Sequence, residues 1–263
     1  MDLKLTGKVA VVAGGSKGIG AATARLLAEE GAKLLLTARG LEALAATAQV
    51  IHDATGAEVQ TISADLSAPG PAEDVAKAAL DAYGRIDILV NSAGAARGGA
   101  FESLSDEVWA DALSLKFFGT MRMVRAVLPA MRARKYGRIV NVAGNTGSQP
   151  HPGLLPGGCA NAALLSFTKG LSEDIVKDGI VMNALQPGPA RTEHWDTLMT
   201  NLSRGTGLNN AEFETEFLKL IPMGRTAEAG EMAQMIVFLA SDTAAYMTGR
   251  SVIVDGGWTA AMA

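Results

Sequence analysis

The sequence predicts an α/β protein: a single Rossmann-type, doubly wound domain whose seven-stranded, mostly parallel sheet is flanked by helices. Two observations lead to this fold. Seven short runs rich in Val, Ile and Leu are apolar almost throughout, as strands covered on both faces are. Helical patterns lie between these runs, and a regular alternation of strand and helix is typical of a parallel sheet whose ligand site lies at the carboxyl ends of the strands.

The elements follow one another without a linker or a low-complexity tract, so residues 1–263 are predicted to form one domain. The expected strands are 8–14, 33–38, 58–63, 86–94, 137–144, 179–188 and 251–257. The expected helices are 20–31, 41–56, 70–84, 105–137, 159–179 and 227–247, several of which end at a glycine, as left-handed helix caps favour. The irregular stretch 189–225 follows a strand end and is predicted to cover the substrate as a lid.

Composition narrows the class of ligand. The chain has 23 basic and 27 acidic residues, and no Lys/Arg run is long enough to bind a polyanion, so we expect a small-molecule substrate and no nucleic acid. The single cysteine, Cys159, excludes an intrachain disulfide framework, and the few His and Cys residues are badly spaced for a metal site. With no signal-peptide pattern and no apolar stretch of about 18 residues, a cytoplasmic protein without membrane association is expected.

A glycine-rich turn joins the first strand to the first helix. The sequence "VVAGGSKGIGAATARLLAEEG" carries Gly14, Gly18 and Gly20 at this turn. Backbone N–H groups can approach an anionic pyrophosphate closely there, and the helix N-terminus adds a favourable dipole. The turn therefore predicts dinucleotide binding, since it stands between a strand and a helix at the start of an alternating chain.

Several motifs resemble those of the short-chain dehydrogenase/reductase family. "AGGSKGIG" (13–20) resembles its TGxxxGIG turn, "NSAG" (91–94) its NNAG motif, and "DL" (65–66) its adenine-contacting position. "NALQPGPART" (183–192) is similar to its N-x-x-x-PG-x-x-x-T segment, and "MTGRSVIVDGG" (247–257) to its closing strand. The resemblance covers essentially the whole chain and implies hydride chemistry and a homo-oligomer, a tetramer or a dimer.

The end of the second strand indicates which dinucleotide binds. An unphosphorylated ribose calls for a carboxylate there, whereas a 2′-phosphate calls for cations. Ala38 stands at the usual acid position, Arg39 follows it, and Lys17 adds a second cation. We therefore expect NADP(H), although two solvated surface cations would give the same pattern. The expected cofactor contacts are Gly14, Ser16, Lys17, Gly18, Ile19, Gly20, Arg39, Asp65, Leu66, Asn91, Ala93, Gly94, Pro187, Gly188 and Thr192.

The catalytic residues that the resemblance implies are missing from their places. In a gapless alignment the family's serine falls on Gly144, its tyrosine on Gly157 and its lysine on Asn161. The family's helix-four asparagine falls on Lys116, with Ser114 two residues away. The usual proton-transfer machinery is therefore predicted to be absent, and the two glycines at 157–158 are expected to open space for a bulky substrate.

Lys116 lies where the family has an asparagine on its fourth helix, and Asn161 lies where the family has a lysine on its fifth helix, so the two residue types have exchanged positions. We expect the Lys116 ammonium to reach the region that the family lysine occupies, and the Asn161 amide to bond the nicotinamide ribose. The alternative is that Lys116 extends to solvent and Asn161 starts a helix.

If a carbonyl is reduced, a residue other than the family's tyrosine has to donate the proton to the substrate oxygen. His151, in the loop before the fifth helix, is a candidate because imidazole titrates in the useful pH range; His194 is a weaker one. No tyrosine can substitute by position, since Tyr83 and Tyr136 lie at helix ends and Tyr246 lies near the C-terminus. Cys159 has no activating neighbour in sequence and is expected to be a small buried residue at a helix start.

Three hypotheses about activity follow. The first is an NADP(H)-dependent oxidoreductase with a rearranged site, which delivers hydride to a C=O, a C=N or an activated C=C. The second is a lyase or isomerase on the same scaffold. The third is a nucleotide-binding pseudoenzyme. The intact glycine turn, "NSAG" and Thr192 argue against the second, and the lid argues against the third.

Overall fold

A computed structural model describes residues 2–94, 98–193, 195–203 and 206–260. The strands are β1 (Val9–Ala13), β2 (Lys33–Ala38), β3 (Val59–Ser63), β4 (Ile88–Asn91), β5 (Gly137–Val142), β6 (Ile180–Pro187), β7 (Ala190–Arg191), β8 (Ala227–Glu228) and β9 (Ser251–Val254). The α-helices are α1 (Gly18–Glu29), α2 (Leu41–Thr55), α3 (Pro71–Tyr83), α4 (Asp106–Leu113), α5 (Thr120–Arg134), α6 (Leu155–Ile175), α7 (Trp195–Ser203), α8 (Asn210–Leu218) and α9 (Ala229–Leu239).

The main sheet confirms the predicted fold class. Its seven strands lie in the order β3-β2-β1-β4-β5-β6-β9, and every pair is parallel. The order reverses between β1 and β4, where Ala13 pairs with Asn91 at the carboxyl ends. Ligands of doubly wound sheets bind in the crevice at such a reversal. Among the residues described, no helix is long and apolar enough to cross a membrane.

Apolar side chains cover both faces of the sheet. One layer is built around Leu27, Leu36 and Ile236, and the other around Val75, Met123 and Met182. Burial on both sides explains why β1, β4, β5 and β6 read as continuous apolar runs in the sequence.

Three parts of the chain differ from their predicted secondary structure, and one of them is the helix expected over 227–247, which begins at Ala229 and ends at Leu239. The helix expected over 105–137 is interrupted, because Ser114–Gly119 forms a π-helix between α4 and α5. The stretch 189–225, expected to be irregular, contains α7 and α8. Asn209 accepts hydrogen bonds from the N–H groups of Ala211 and Glu212, and Glu212 accepts one from Asn209, so α8 begins with a capping box.

A chain of buried side-chain hydrogen bonds joins two central strands to α6. Asn91 Nδ2 on β4 donates to Asn141 Oδ1 on β5 at 2.9 Å, and Asn141 Nδ2 donates to Thr168 Oγ1 on α6 at 2.9 Å. Asn91, Asn141 and Thr168 are each at most 2% exposed. Because buried amides cost free energy when they lose their partners, these bonds fix how α6 lies over the ends of β4 and β5.

Replacing the central amide should destabilise the domain. We expect Asn141→Ala to lower the free energy of unfolding by about 2 to 4 kcal/mol, because it leaves the Asn91 amide without its acceptor and opens a small cavity. Urea denaturation measures the change. The control is Gln49→Ala, which removes an exposed amide bonded to Asp53 and should change stability by less than about 0.5 kcal/mol. Equal effects of the two variants would contradict this role of Asn141.

Candidate active site

The glycine turn lies against the end of β4. Gly14 has φ +79, and a Cβ there would lie 2.7 Å from the Ala93 backbone nitrogen. A Cβ on Gly20 would lie 2.1 Å from the Gly14 carbonyl oxygen. Only glycine permits these two approaches, which bring the turn, the start of α1 and the "NSAG" segment into contact.

Of the other predicted cofactor positions, Thr192 lies against this turn, and Pro187 and Gly188 lie at the end of β6. Gly18 faces Thr192, whose Cγ2 would lie 3.3 Å from a Cβ on the glycine. The Ser16 carbonyl oxygen accepts a hydrogen bond from Thr47 Oγ1 at 2.8 Å, and Ile19 packs partly buried against the core. Pro187 ends β6, and Gly188 lies so close to Asp255 that a Cβ there would approach the Asp255 Cβ to 2.5 Å.

Both predicted cations lie at this edge of the sheet. Lys17 Nζ donates to Glu193 Oε2 at 2.5 Å, and both side chains are at least half exposed, at 50% and 59%. Arg39 is exposed after β2, where its carbonyl oxygen accepts a hydrogen bond from Ser63 Oγ at 2.8 Å. Hydrogen bonds from Ser67 lower the pKa of Asp65, and the Arg39 guanidinium lowers it further, so Arg39 and Asp65 are neighbours.

Asn91 differs from the other predicted contacts, because its side chain turns into the sheet. Its Nδ2 donates to Asn141, and its buried Oδ1 has no partner among the residues described. Leu66 is also turned inward and is 3% exposed. The side chains of Asn91 and Leu66 therefore belong to the buried interior next to the site, and only their backbones lie at its edge.

Asn161 lies beside Gly144, at the carboxyl end of β5. A Cβ on Gly144 would lie 2.8 Å from Asn161 Nδ2, which donates to Thr146 Oγ1 at 3.1 Å. Asn161 is 7% exposed, and its Oδ1 is buried with no partner in the described part of the chain. The alternative that Asn161 starts a helix is wrong, because α6 begins six residues earlier.

Lys116 lies over the end of β4, the neighbouring strand. A Cβ on Gly94 would lie 2.8 Å from Lys116 Cδ and 3.1 Å from Nζ, so the lysine stem contacts this glycine. The residue belongs to the π-helix and is partly buried, and desolvation lowers the pKa of its amine to about 8. Because the side chain runs along Gly94, the alternative of a lysine extended into solvent is wrong.

The helices that carry Lys116 and Asn161 pack against each other. Phe117, next to Lys116, meets Phe167 of α6 edge to face with ring centroids 6.1 Å apart. Gly119 ends the π-helix against the Leu66 carbonyl oxygen, which would lie 3.0 Å from a Cβ on the glycine. A π-helical turn inside a longer helix is often found at a functional site.

His151 lies at the loop before α6. Its Nδ1 accepts a hydrogen bond from the Gly153 N–H at 3.2 Å, so the neutral ring carries its proton on Nε2. The ring centroid is 6.4 Å from that of Trp258. The other candidate, His194, lies outside the described residues.

The tyrosines all lie away from the carboxyl edge. Tyr83 donates to the Leu34 carbonyl oxygen at the start of β2, and burial raises its pKa to about 12. Tyr136 precedes β5, donates to Asp242, and has a pKa that burial raises. Tyr246 is fully exposed before β9. None of them reaches the ends of β4 and β5.

Two smaller expectations were wrong. Cys159 is exposed and lies inside α6, so it is not a buried helix-start residue. Of the two glycines expected to open space for a bulky substrate, Gly158 opens none, because it is buried against the 145–147 turn, where a Cβ would lie 3.2 Å from the Thr146 carbonyl oxygen.

The segment 189–225 packs around its own apolar cluster. Trp195, Met199, Phe217 and Ile221 are each at most 5% exposed, and Phe217 meets Trp258 with ring centroids 5.4 Å apart. Aromatic packing of this kind holds α7 and α8 beside the His151 loop.

Sequence reasoning missed the residues that hold the loop after β5. Asp255 Oδ2 accepts hydrogen bonds from Thr259 N at 2.7 Å and from Asn145 Nδ2 at 3.3 Å. Gln149 Nε2 donates to the Trp258 carbonyl oxygen at 3.1 Å. No local pattern identifies the Asn145–Asp255 and Gln149–Trp258 pairs, because each joins positions more than 100 residues apart.

Comparison with known proteins identifies relatives over nearly the whole chain. A family model described as "Enoyl-(Acyl carrier protein) reductase" matches residues 13–259. The 3-oxoacyl-[acyl-carrier-protein] reductase FabG of Vibrio cholerae is 35% identical over 255 residues, which cover 97% of this chain and 98% of the relative. Oxidoreductase UcpA of Escherichia coli is 36% identical over 258 residues, covering 97% and 96%.

The fold is also similar to that of a solved reductase structure. The crystal structure of L-sorbose reductase from Gluconobacter frateurii, complexed with NADPH and L-sorbose, superposes with a TM-score of 0.93. It is 32% identical to this chain, and the match covers 100% of both.

Proposed function

The chain belongs to the short-chain dehydrogenase/reductase family, and on that premise we propose that it is an NADP(H)-dependent oxidoreductase with a rearranged active site. The proposed reaction transfers hydride to a C=O, a C=N or an activated C=C. The observation that carries the proposal is the contact of the glycine turn with the end of β4, beside two cationic side chains. The relatives named FabG and L-sorbose reductase are reductases, and the latter was crystallised with NADPH.

The residues present fit a dinucleotide. Gly14 and Gly20 leave no room for a side chain: a Cβ on Gly14 would meet the Ala93 backbone, and one on Gly20 would meet the Gly14 carbonyl, so the turn is bare backbone packed against the start of α1. α1 begins at Gly18 with no acidic residue in its first turn and no side-chain cap from the described residues, so its first N–H groups are available to a pyrophosphate. Bound there, NADPH would supply a hydride to the substrate.

The two cations favour the phosphorylated cofactor. Arg39 can form a pair of charge-assisted hydrogen bonds with a 2′-phosphate, and Lys17 can act as a point charge. The position before Arg39 is Ala38, which has no carboxylate to accept bonds from ribose hydroxyls.

The rearranged site consists of Lys116, Asn161 and His151. The family's serine, tyrosine and lysine positions hold Gly144, Gly157 and Asn161. The buried, unpartnered Oδ1 of Asn161 supports a role as acceptor for a ribose hydroxyl. The contact of Lys116 with Gly94 supports an ammonium at the ends of the strands, where it would stabilise negative charge on the substrate.

The packing of 189–225 against Trp258 and the His151 loop supports its proposed role as a lid. A homo-oligomer, a tetramer or a dimer, stays a prediction from the family resemblance, and a cytoplasmic location stays a prediction from the sequence pattern.

Turnover tests the function directly. The protein is mixed with NADPH and, in turn, with a panel of ketones, imines and enones, and the nicotinamide absorbance is followed. Substrate-dependent oxidation of NADPH is the expected result. Tight NADPH binding with no oxidation across the panel would favour a nucleotide-binding pseudoenzyme, and no binding of either NADPH or NADP⁺ would refute the proposal.

Closing the glycine cradle should weaken cofactor binding. We expect Gly20→Ala to lower NADPH affinity by at least about tenfold, because a Cβ 2.1 Å from the Gly14 carbonyl oxygen forces α1 away from the turn. Fluorescence titration with NADPH measures this affinity. Gly230→Ala is the matched control: no atom lies within 4 Å of a Cβ there, and the residue lies inside α9. It should keep NADPH affinity and gain about 0.5 to 1 kcal/mol of stability.

Cofactor choice should depend on Arg39. Removing its guanidinium costs charge-assisted bonds worth about 1.5 to 3 kcal/mol, so Arg39→Ala should weaken NADPH binding by about 10- to 100-fold and leave NADH binding nearly unchanged. Calorimetric titration with both cofactors measures the difference. Arg25→Ala, which removes an exposed arginine paired with Glu29, is the control and should change neither affinity. Equal affinity of the unmodified protein for NADPH and NADH would count against the two-cation site.

A further inference from the structure

Lys116 is an amine held at the carboxyl edge of the sheet. Its stem lies along Gly94, with Nζ 3.1 Å from the position of a Cβ on that glycine. The π-helix that carries it is fixed on one side by the Phe117–Phe167 contact and on the other by Gly119 against Leu66. Asn161 occupies the corresponding place at the end of the neighbouring strand, beside Gly144.

We propose that the Lys116 ammonium is the acid that protonates the substrate oxygen, and that the substrate is therefore a neutral carbonyl compound rather than an iminium ion. The inference rests on the proposed function, because it requires NADPH as the reductant.

The proposed step balances. When bound, NADPH supplies a hydride, with its two electrons, to the carbonyl carbon. The C=O π pair moves to the oxygen, which takes a proton from the Lys116 ammonium and becomes a hydroxyl group. The neutral amine then takes a proton from solvent. One carbonyl compound, one NADPH and one proton give one alcohol and one NADP⁺.

The acidity of Lys116 suits this role. Burial lowers the pKa of the amine to about 8, whereas an ordinary lysine has a pKa of about 10.4. A general acid works best when its pKa lies near the working pH. At neutral pH the group is mostly protonated, and it gives up its proton more readily than a surface lysine does.

Neighbouring charges do not account for this acidity. Among the residues described, desolvation alone lowers the pKa of Lys116. Titratable side chains on the helices packed against it are exposed or engaged elsewhere: Asp106, Glu107, Asp111, Arg122, Arg125, Arg132, Arg134, Cys159, Lys169, Glu173 and Asp174. The amine therefore has its charge available for a substrate.

The sign of that charge selects the substrate. Negative charge develops on a carbonyl oxygen during hydride transfer, and an adjacent ammonium stabilises it. An iminium substrate is already a cation, and a second cation a few ångströms away disfavours its binding. Of the three acceptors that the proposed function allows, the charge of Lys116 disfavours the iminium ion, and an acid at the substrate oxygen favours the carbonyl, whose reduction to an alcohol requires that proton.

His151 is less suited to donate this proton. Its ring lies beside Trp258 on the loop before α6, and none of the described contacts places it at Gly94 or Gly144. Lys116, by contrast, lies directly against the end of β4, at the point where the sheet order reverses.

The first experiment measures the amine itself, without turnover. Lysines of the whole protein are reductively methylated with ¹³C, and the signal that is missing from Lys116→Met is assigned to Lys116. We expect this signal to titrate near pH 8, well below the other lysines. A titration midpoint above about pH 10, as for free lysine, would overturn the proposal.

The second experiment measures the pH dependence of ketone reduction. In the unmodified protein kcat should fall as the pH rises through about 8, because the ammonium loses its proton. Alcohol oxidation, which needs the neutral amine, should rise over the same range. We expect Lys116→Met to lower kcat by about 10²- to 10⁴-fold and to remove the pH dependence near 8.

Lys116→Arg separates charge from proton transfer. Arginine keeps the cation but does not deprotonate, so we expect intermediate activity without the decline near pH 8. Lys169→Met, at an exposed lysine of α6 paired with Glu173, is the matched control and should keep both the rate and the profile. If His151→Asn, and not Lys116→Met, removes the decline, His151 is the acid and the proposal fails.

NADPH titration distinguishes this inference from the proposed function. If the unmodified protein binds NADPH and oxidises it with ketones, but Lys116→Met keeps the rate and the pH profile, only the role of Lys116 fails. If cyclic imines are reduced at least tenfold faster than matched ketones, the substrate class fails. If NADPH neither binds nor reacts, both proposals fail.

Discussion

The hydrogen-bonded chain Asn91–Asn141–Thr168 is the constraint on which the candidate site depends. It joins β4, β5 and α6 through groups that are almost completely buried, so neither strand can shift against the helix without leaving a polar group unpaired. The ends of these two strands carry Gly94 and Gly144, against which Lys116 and Asn161 lie. These buried bonds therefore set where Gly94 and Gly144 lie, whereas the Phe117–Phe167 contact and the hydrogen bond from Asn161 to Thr146 hold the two residues that lie against them.

Burying the Lys116 amine carries a cost to stability. A pKa lowered from 10.5 to about 8 means that the charged form is disfavoured by roughly 3 kcal/mol, at about 1.4 kcal/mol for each pKa unit. The fold would avoid this cost with an apolar residue of similar length. Gly94 and the π-helix, however, hold the side chain along the strand end, where it cannot extend fully into water. A cost of this kind is typical of residues kept for chemistry, because perturbed amines concentrate at functional sites.

The sequence predicts elements well where a local pattern decides the outcome. β2 was predicted with its observed bounds, Lys33–Ala38, because an apolar run between two turns leaves little choice. The π-helix at Ser114–Gly119 was missed, since its side chains follow an ordinary helical pattern and only packing against α6 and Leu66 distinguishes it. Alignment with the family's motifs identified Lys116 and Asn161 as candidate site residues. Their contacts with Gly94 and Gly144 could not be predicted, because these contacts depend on tertiary packing. The helix α8 could have been predicted, because Asn209 and Glu212 form a capping box that is visible in the sequence.

The ion pair between Lys17 and Glu193 does not conflict with a phosphate-binding role for Lys17. Both side chains are at least half exposed, and ion pairs of that kind contribute only about 0 to 1 kcal/mol. A charge-assisted bond to a phosphate contributes about 1.5 to 3 kcal/mol. The phosphate is therefore the stronger partner, and Glu193 would give up Lys17 to it. Glu193 follows Thr192, which lies against Gly18, so the residue that competes for the cation lies within the first residues of the segment proposed as the lid.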